Sequence, residues 1–146
     1  MKIYRILSRS GLLSIVLILA VAVLVLSETM SSSVYAIAGN DNSQRVHFLS
    51  SIGCDVKEEC ILEKETTVPV EFSQVYENYN KLQQKAGFDL SPYKGCKITV
   101  YKYKVINFNA AKGADCEANL IVCGGKIIGG DICSVSLDGF MLPLKK

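Results

Sequence analysis

The chain has 146 residues, 49% of them hydrophobic, and a formal net charge of +2 from 16 basic and 14 acidic side chains. That length holds one ordinary domain. Lys2, Arg5, Arg9 and Glu28 fall in the first 38 residues, so the remainder has 13 basic and 13 acidic side chains, and a neutral domain has no long-range field to gather a polyanion; nucleic acid is excluded as a partner on that ground.

Gly11 to Leu26 reads GLLSIVLILAVAVLVL, 16 residues without a charge, behind three cationic side chains. A cationic end that stays inside and an apolar stretch that enters the bilayer are the plan of an export leader, so the chain beyond it is expected outside the cytoplasmic membrane. Membrane helices need about 20 apolar residues and signal cores about 7 to 15, and the run falls between them. Ala36-Ile37-Ala38 before Gly39 has the small-x-small pattern of a signal-peptidase site, which makes the Ala38–Gly39 bond the cleavage candidate. The spacer from Leu26 is long for that use, and an uncleaved anchor stays open beside removal. No cysteine near the run offers a lipoprotein start. Residues 1–38 are therefore expected to be a signal peptide or membrane anchor, and 39–146 a single extracytoplasmic domain.

Within the domain, Val46, Leu49 and Ile52 recur at helical spacing, with Asp41 and Gln44 placed for a capping box and Gly53 for the stop. From Cys54 to Val70, β-branched residues among charges, with Thr66-Thr67 and Pro69, predict one or two short strands. Val75, Tyr76, Tyr79, Leu82 and Ala86 form a helical stripe that Ser73 begins and Gly87 ends. Pro92 lies in the turn-rich connector after it. From Cys96 the period becomes two, with Thr99, Tyr101, Tyr103 and Val105 on one side and Val100, Lys102 and Lys104 on the other. Gly124-Gly125 predicts a two-residue hairpin turn between Cys116–Cys123 and Lys126–Val135, and Asp138-Gly139 a further turn before Phe140–Leu144. The expected fold is α+β: an antiparallel sheet, made of a three-strand C-terminal meander plus one or two N-terminal strands, with two helices covering one face.

All six cysteines lie beyond the leader, as disulfides outside the cytoplasm require. A turn at Gly124-Gly125 sets Cys116 opposite Cys133 in a non-hydrogen-bonded pair, so Cys116–Cys133 is the expected disulfide, unless a bulge at Gly129-Gly130 shifts the register. Cys54 and Cys60 are a second candidate pair. No Cys-x-x-Cys is present and His47 is the single imidazole, so neither a metal site nor a cofactor is expected. Asp131, after Gly129-Gly130 and between Ile128 and Ile132, is the acid that stands out, either as a ligand-binding carboxylate or as a bulge acid bonded to local amides.

The stretches Tyr76 to Val105 and Ala118 to Met141 resemble the bacterial family of domain of unknown function 4830, over about Val46 to Leu144. Tyr79-Asn80, Leu82-Gln83, Gly87 through Tyr93, Gly95, Gly129-Gly130-Asp131 and Asp138-Gly139-Phe140 carry the likeness. It implies a short exported or membrane-tethered protein and brings no catalytic residues. Two functions remain: a non-enzymatic, envelope-associated binding or accessory module with an unidentified envelope protein or ligand as partner, or a small-ligand-binding or enzymatic domain centred on Asp131 and the Gly-rich hairpin.

Overall fold

The computed structural model describes residues 36–107, 115–136 and 139–144. The apolar run, most of the loop expected at Asn109–Asp115 and the Asp138 half of the last turn lie outside the described residues. Ala36 onward forms one compact unit.

Its elements in chain order are β1 (Ile37–Ala38), α1 (Asn42–Ser51), β2 (Val56–Thr67), α2 (Gln74–Lys85), a 3-10 turn (Ser91–Tyr93), β3 (Lys97–Val105), β4 (Cys116–Cys123), β5 (Lys126–Ser134) and β6 (Met141–Pro143). The sheet is antiparallel in the order β1-β5-β4-β3-β2, with β6 also on β5. Both helix starts use the residues that suggested them. Asp41 accepts from the Gln44 amide at 2.8 Å, and Ser73 accepts from that of Tyr76 at 3.3 Å. Gly53 and Gly87 close the helices at φ of 78° and 79°. Gly124 and Gly125, at φ of 54° and 74°, make the two-residue hairpin turn between β4 and β5.

Two expectations are corrected. The region of one or two short strands is one 12-residue edge strand, β2, whose register against β3 shifts between Val56 and Cys60 and again between Cys60 and Leu62. The helices also do not lie side by side on one face, although Ala86 and Phe88 at the end of α2 reach the core of α1, where Phe88 stacks edge-on against Phe48. Strand alternation turns Tyr103, Val105, Ala118, Leu120 and Val122 to the α1 side, where they form a core with Phe48 and Leu49. Ile98, Ile121 and Ile128 point the other way and pack with Val68, Leu90, Tyr76 and Tyr79 beneath α2. Each fully buried leucine, such as Leu49 or Leu120, contributes about 2 kcal/mol of apolar burial.

The stripe expected on α2 holds at Tyr76, Tyr79, Leu82 and Ala86 but not at Val75, and it is widened by two polar residues. Val75 is 79% exposed, whereas Asn80 and Gln83 are buried. Asn80 pins the connector beyond the helix: its amide donates to Asp89 Oδ1 (2.8 Å) and Ser91 Oγ (3.0 Å), and its Oδ1 accepts from the Leu90 amide (2.7 Å). Gln83 lies against β5, and its Oε1 accepts from the Gly130 amide at 2.8 Å. On β5, β1 covers Ile127 and Lys126, β6 covers Asp131 to Cys133, and Gln83 bonds to the backbone between them. The glycines there are needed for that approach. A Cβ on Gly129 would lie 2.8 Å from Gln83 Oε1, and one on Gly130 would lie 2.3 Å from the Asn119 carbonyl oxygen.

The β4–β5 register starts as expected, with Cys123 facing Lys126 and Val122 facing Ile127, and then shifts by one so that Ile121 faces Gly129. Ile128 is the extra residue. Cys116 consequently faces Ser134, and Cys133 faces Glu117. The expected Cys116–Cys133 pairing is overturned, because an offset of one residue puts the two side chains on opposite faces of the sheet. Cys116 joins the α1-side core, whereas Cys133 lies 3.5 Å from the Asn119 amide nitrogen on the α2 side. Neither Cys54–Cys60 nor any other pair is bonded in a disulfide among the described residues.

Candidate functional site

Asp131 is 2% exposed. It stands on β5 directly opposite Asn119 of β4, and α2 brings Tyr79 over it. The Tyr79 hydroxyl donates to Oδ2 at 2.7 Å, and the Asn119 amide donates to Oδ1 at 2.8 Å. The bulge that precedes Asp131 turns it toward these side chains, so the expectation of an acid bonded to local amides is replaced by one that joins a helix to two strands.

Burial pushes the Asp131 carboxyl up, against the opposing pull of the Tyr79 and Asn119 hydrogen bonds and of the Lys102 charge. Tyr79 is raised too, first by burial and then by the Asp131 charge. Lys102 is raised mainly by its hydrogen bond to Glu117, with which it forms an ion pair. The neighbouring Cys133 thiol is raised by burial and by Asp131, which leaves it a poor nucleophile. His47, the single imidazole, sits on α1 away from this cluster.

Beside this cluster runs a groove of about 460 Å³ across the α2 face of the sheet. Val100 and Ile121 lie in its floor, Tyr76 and Tyr79 in one wall, Thr66 at one end, and Asn119 with Asp131 on its polar side. Its composition is that of a small-molecule or side-chain site, with apolar surface and a few placed polar groups. A larger depression of about 560 Å³ near the hairpin tip, touching Gly39, Lys97 and Gly125, contains no strongly buried ionisable group. We therefore regard the α2-face groove as the site. No cluster of three His, Cys, Asp or Glu side chains suited to a metal occurs among the described residues.

The sequence pointed to Asp131 but missed Asn119, Tyr79 and Gln83 as its setting. Their signal was positional: Asn119 alternates with apolar Leu120 and Ala118, and Tyr79, Asn80 and Gln83 share a helix face with one another. A second missed residue is Arg45, 6% exposed on α1. Its Nε donates to the Tyr103 hydroxyl (2.8 Å), its Nη1 to the carbonyls of Gly39 (2.9 Å) and Asn40 (3.2 Å), and its guanidinium lies 3.6 Å from the centre of the Tyr101 ring. The Tyr103 hydroxyl itself donates to Asn42 Oδ1 at 2.9 Å. The alternating tyrosines read from the sequence thus hold a buried cation.

The residues that carry the family likeness meet in this region: Tyr79 on Asp131, Gln83 on Gly130, and Asn80 on the Asp89–Ser91 connector. The sequence profile of a family described as domain of unknown function (DUF4830) matches residues 48–132. No curated protein and no solved structure matches the chain.

Proposed function

Because the chain belongs to the domain of unknown function 4830 family, we propose from the site alone that it is a non-enzymatic binding module of the cell envelope, holding a small or side-chain-sized apolar group in the α2-face groove. The observation that carries this reading is the groove itself, with its Val100 and Ile121 floor, tyrosine wall and polar side. Asp131 serves binding better than catalysis. Both of its oxygens already accept hydrogen bonds, so it fixes the tyrosine wall and gives the groove its polar edge. NMR of the full chain in detergent micelles, titrated with phenol and benzylamine, tests the reading. Shifts confined to Val100, Ile121 and Tyr76, and abolished by Thr66→Trp, are expected. Shifts scattered over the surface, or unchanged in the variant, would overturn it.

The envelope part of the proposal rests on the cationic, apolar leader, and the fold favours retention over cleavage at Ala38. Ile37 and Ala38 pair with β5, and the Gly39 amide donates to the Gly125 carbonyl at 2.9 Å. Cutting after Ala38 would delete β1. It would also place a new ammonium on buried Gly39, whose carbonyl already receives the Arg45 guanidinium. Two cations would then crowd one desolvated site. No helix among the described residues is long and apolar enough to cross a membrane. Intact mass of the protein extracted from its native membrane should show the leader retained, and a mature chain beginning at Gly39 would overturn this part.

A further inference from the structure

The six thiols are not spread evenly. Thr99 pairs with Val122 at the end of the β3–β4 ladder, so Cys123, the next residue of β4, lies beside the start of β3. Its Sγ is 3.5 Å from the Lys97 carbonyl oxygen, one residue from Cys96, and the Cys96 and Cys123 thiols are near enough to influence each other. Both backbones are fixed in place. The Cys96 amide donates to the Tyr93 carbonyl at 2.9 Å and its carbonyl accepts from Val68 at 3.0 Å, while Cys123 closes the hairpin opposite Lys126.

We propose that Cys96 and Cys123 are the redox pair of this domain and form a disulfide that ties the start of β3 to the end of β4. Neighbouring thiols on hydrogen-bonded backbones reach bonding geometry by side-chain rotation together with a small shift of the chain at Cys96, which precedes the regular strand β3. Both are half-buried and within reach of a small oxidant. Cys54 and Cys116 also adjoin, but they are 4% and 2% exposed, and burial pushes the Cys54 thiol up to about 11. That pair is sealed from reagents and poor in thiolate, which is the attacking form.

The chemistry is thiol–disulfide exchange with a small-molecule disulfide as oxidant. One thiolate attacks it, releasing one reagent thiol and leaving a mixed disulfide. The neighbouring thiolate then displaces the second reagent thiol as the Cys96–Cys123 bond forms. The protein loses two electrons and two protons, and the reagent disulfide is reduced to two thiols. Burial and the adjacent Cys96 hold the Cys123 thiol above its ordinary value, so the exchange should accelerate as the pH is raised.

The test uses the full chain in detergent, equilibrated with oxidised glutathione, quenched in acid, alkylated and mapped without reduction. The expected product is a linked peptide joining Cys96 to Cys123, with Cys116 and Cys133 unlinked, and a melting temperature raised by roughly 10 °C over the reduced protein. The double variant Cys96→Ala/Cys123→Ala should lose that oxidant-dependent rise. Alkylation of both thiols, glutathione left on either one, linkage of either to a different cysteine, or a rise that persists in the double variant would each overturn the proposal. None of these results depends on whether the groove binds a ligand.

Discussion

Arg45 and Asp131 are buried ions on opposite faces of the same sheet, and each is held without a direct ion pair to the other sign. On the α1 side, Arg45 ends among carbonyl oxygens, a tyrosine hydroxyl and a tyrosine ring, and it joins β1, α1 and β3. On the α2 side, Asp131 joins α2, β4 and β5, but Lys102 and a groove lie next to it. The same device ties a helix to strands on each face, with the cation beside the depression at Gly39 and Tyr101 and the anion beside the α2-face groove.

The contrast is most open to attack at Arg45. Replacing it with Met removes the donors to Tyr103 and Gly39, and the buried acceptors left behind should cost about 3 kcal/mol, read from urea unfolding of the full chain. A loss below about 1 kcal/mol would mean that Arg45 is incidental to the α1-side core. Gly130→Ala attacks the seam between helix and sheet. Its Cβ would meet the Asn119 carbonyl and Leu144, and overpacking of this kind should cost about 2 kcal/mol in the same assay.

Asp131→Asn should change stability by only about 1 kcal/mol near neutral pH, because losing charge-assisted hydrogen bonds is offset by removing a desolvated charge. Its pH signature is sharper than its size. The folded carboxyl titrates above its ordinary value of 3.8, so over that window the folded state holds the proton that the unfolded state has released. Wild-type stability should therefore fall as pH rises from 3.8 through the folded value, whereas the Asn variant lacks that component. A wild-type-minus-variant difference that rises with pH would reverse the assignment. Val75→Ala, at a position 79% exposed, should stay within about 0.5 kcal/mol of wild type. A larger cost would restore Val75 to the buried stripe that the sequence suggested.

Local signals were legible in the sequence where the cause is local. Asp41 and Ser73 cap helices, Gly53 and Gly87 end them, and Gly124-Gly125 turns the hairpin because those jobs depend on a few neighbouring atoms. The cysteine pairing failed because one bulged residue, Ile128, moves everything beyond it, and the stretch after the bulge is bonded by Gln83 from a distant helix. Asn80, Gln83 and Arg45 were missed for a related reason. A hydropathy stripe assigns polar residues to the outside, and each of these is buried with partners that become adjacent only in the folded chain.

The long outer strand gives the sheet a direction of growth. One rim is completed from within by β1, Gln83 and β6, whereas along the edge strand β2 side chains take the carbonyls of Glu58, from Asn42, and of Leu62, from Cys60. Six of its twelve residues are charged, and two register shifts interrupt its regular pleat. Copies crowded side by side would meet an irregular, ionic border instead of a flat template. A dense population of this protein should therefore resist zipping into extended sheets.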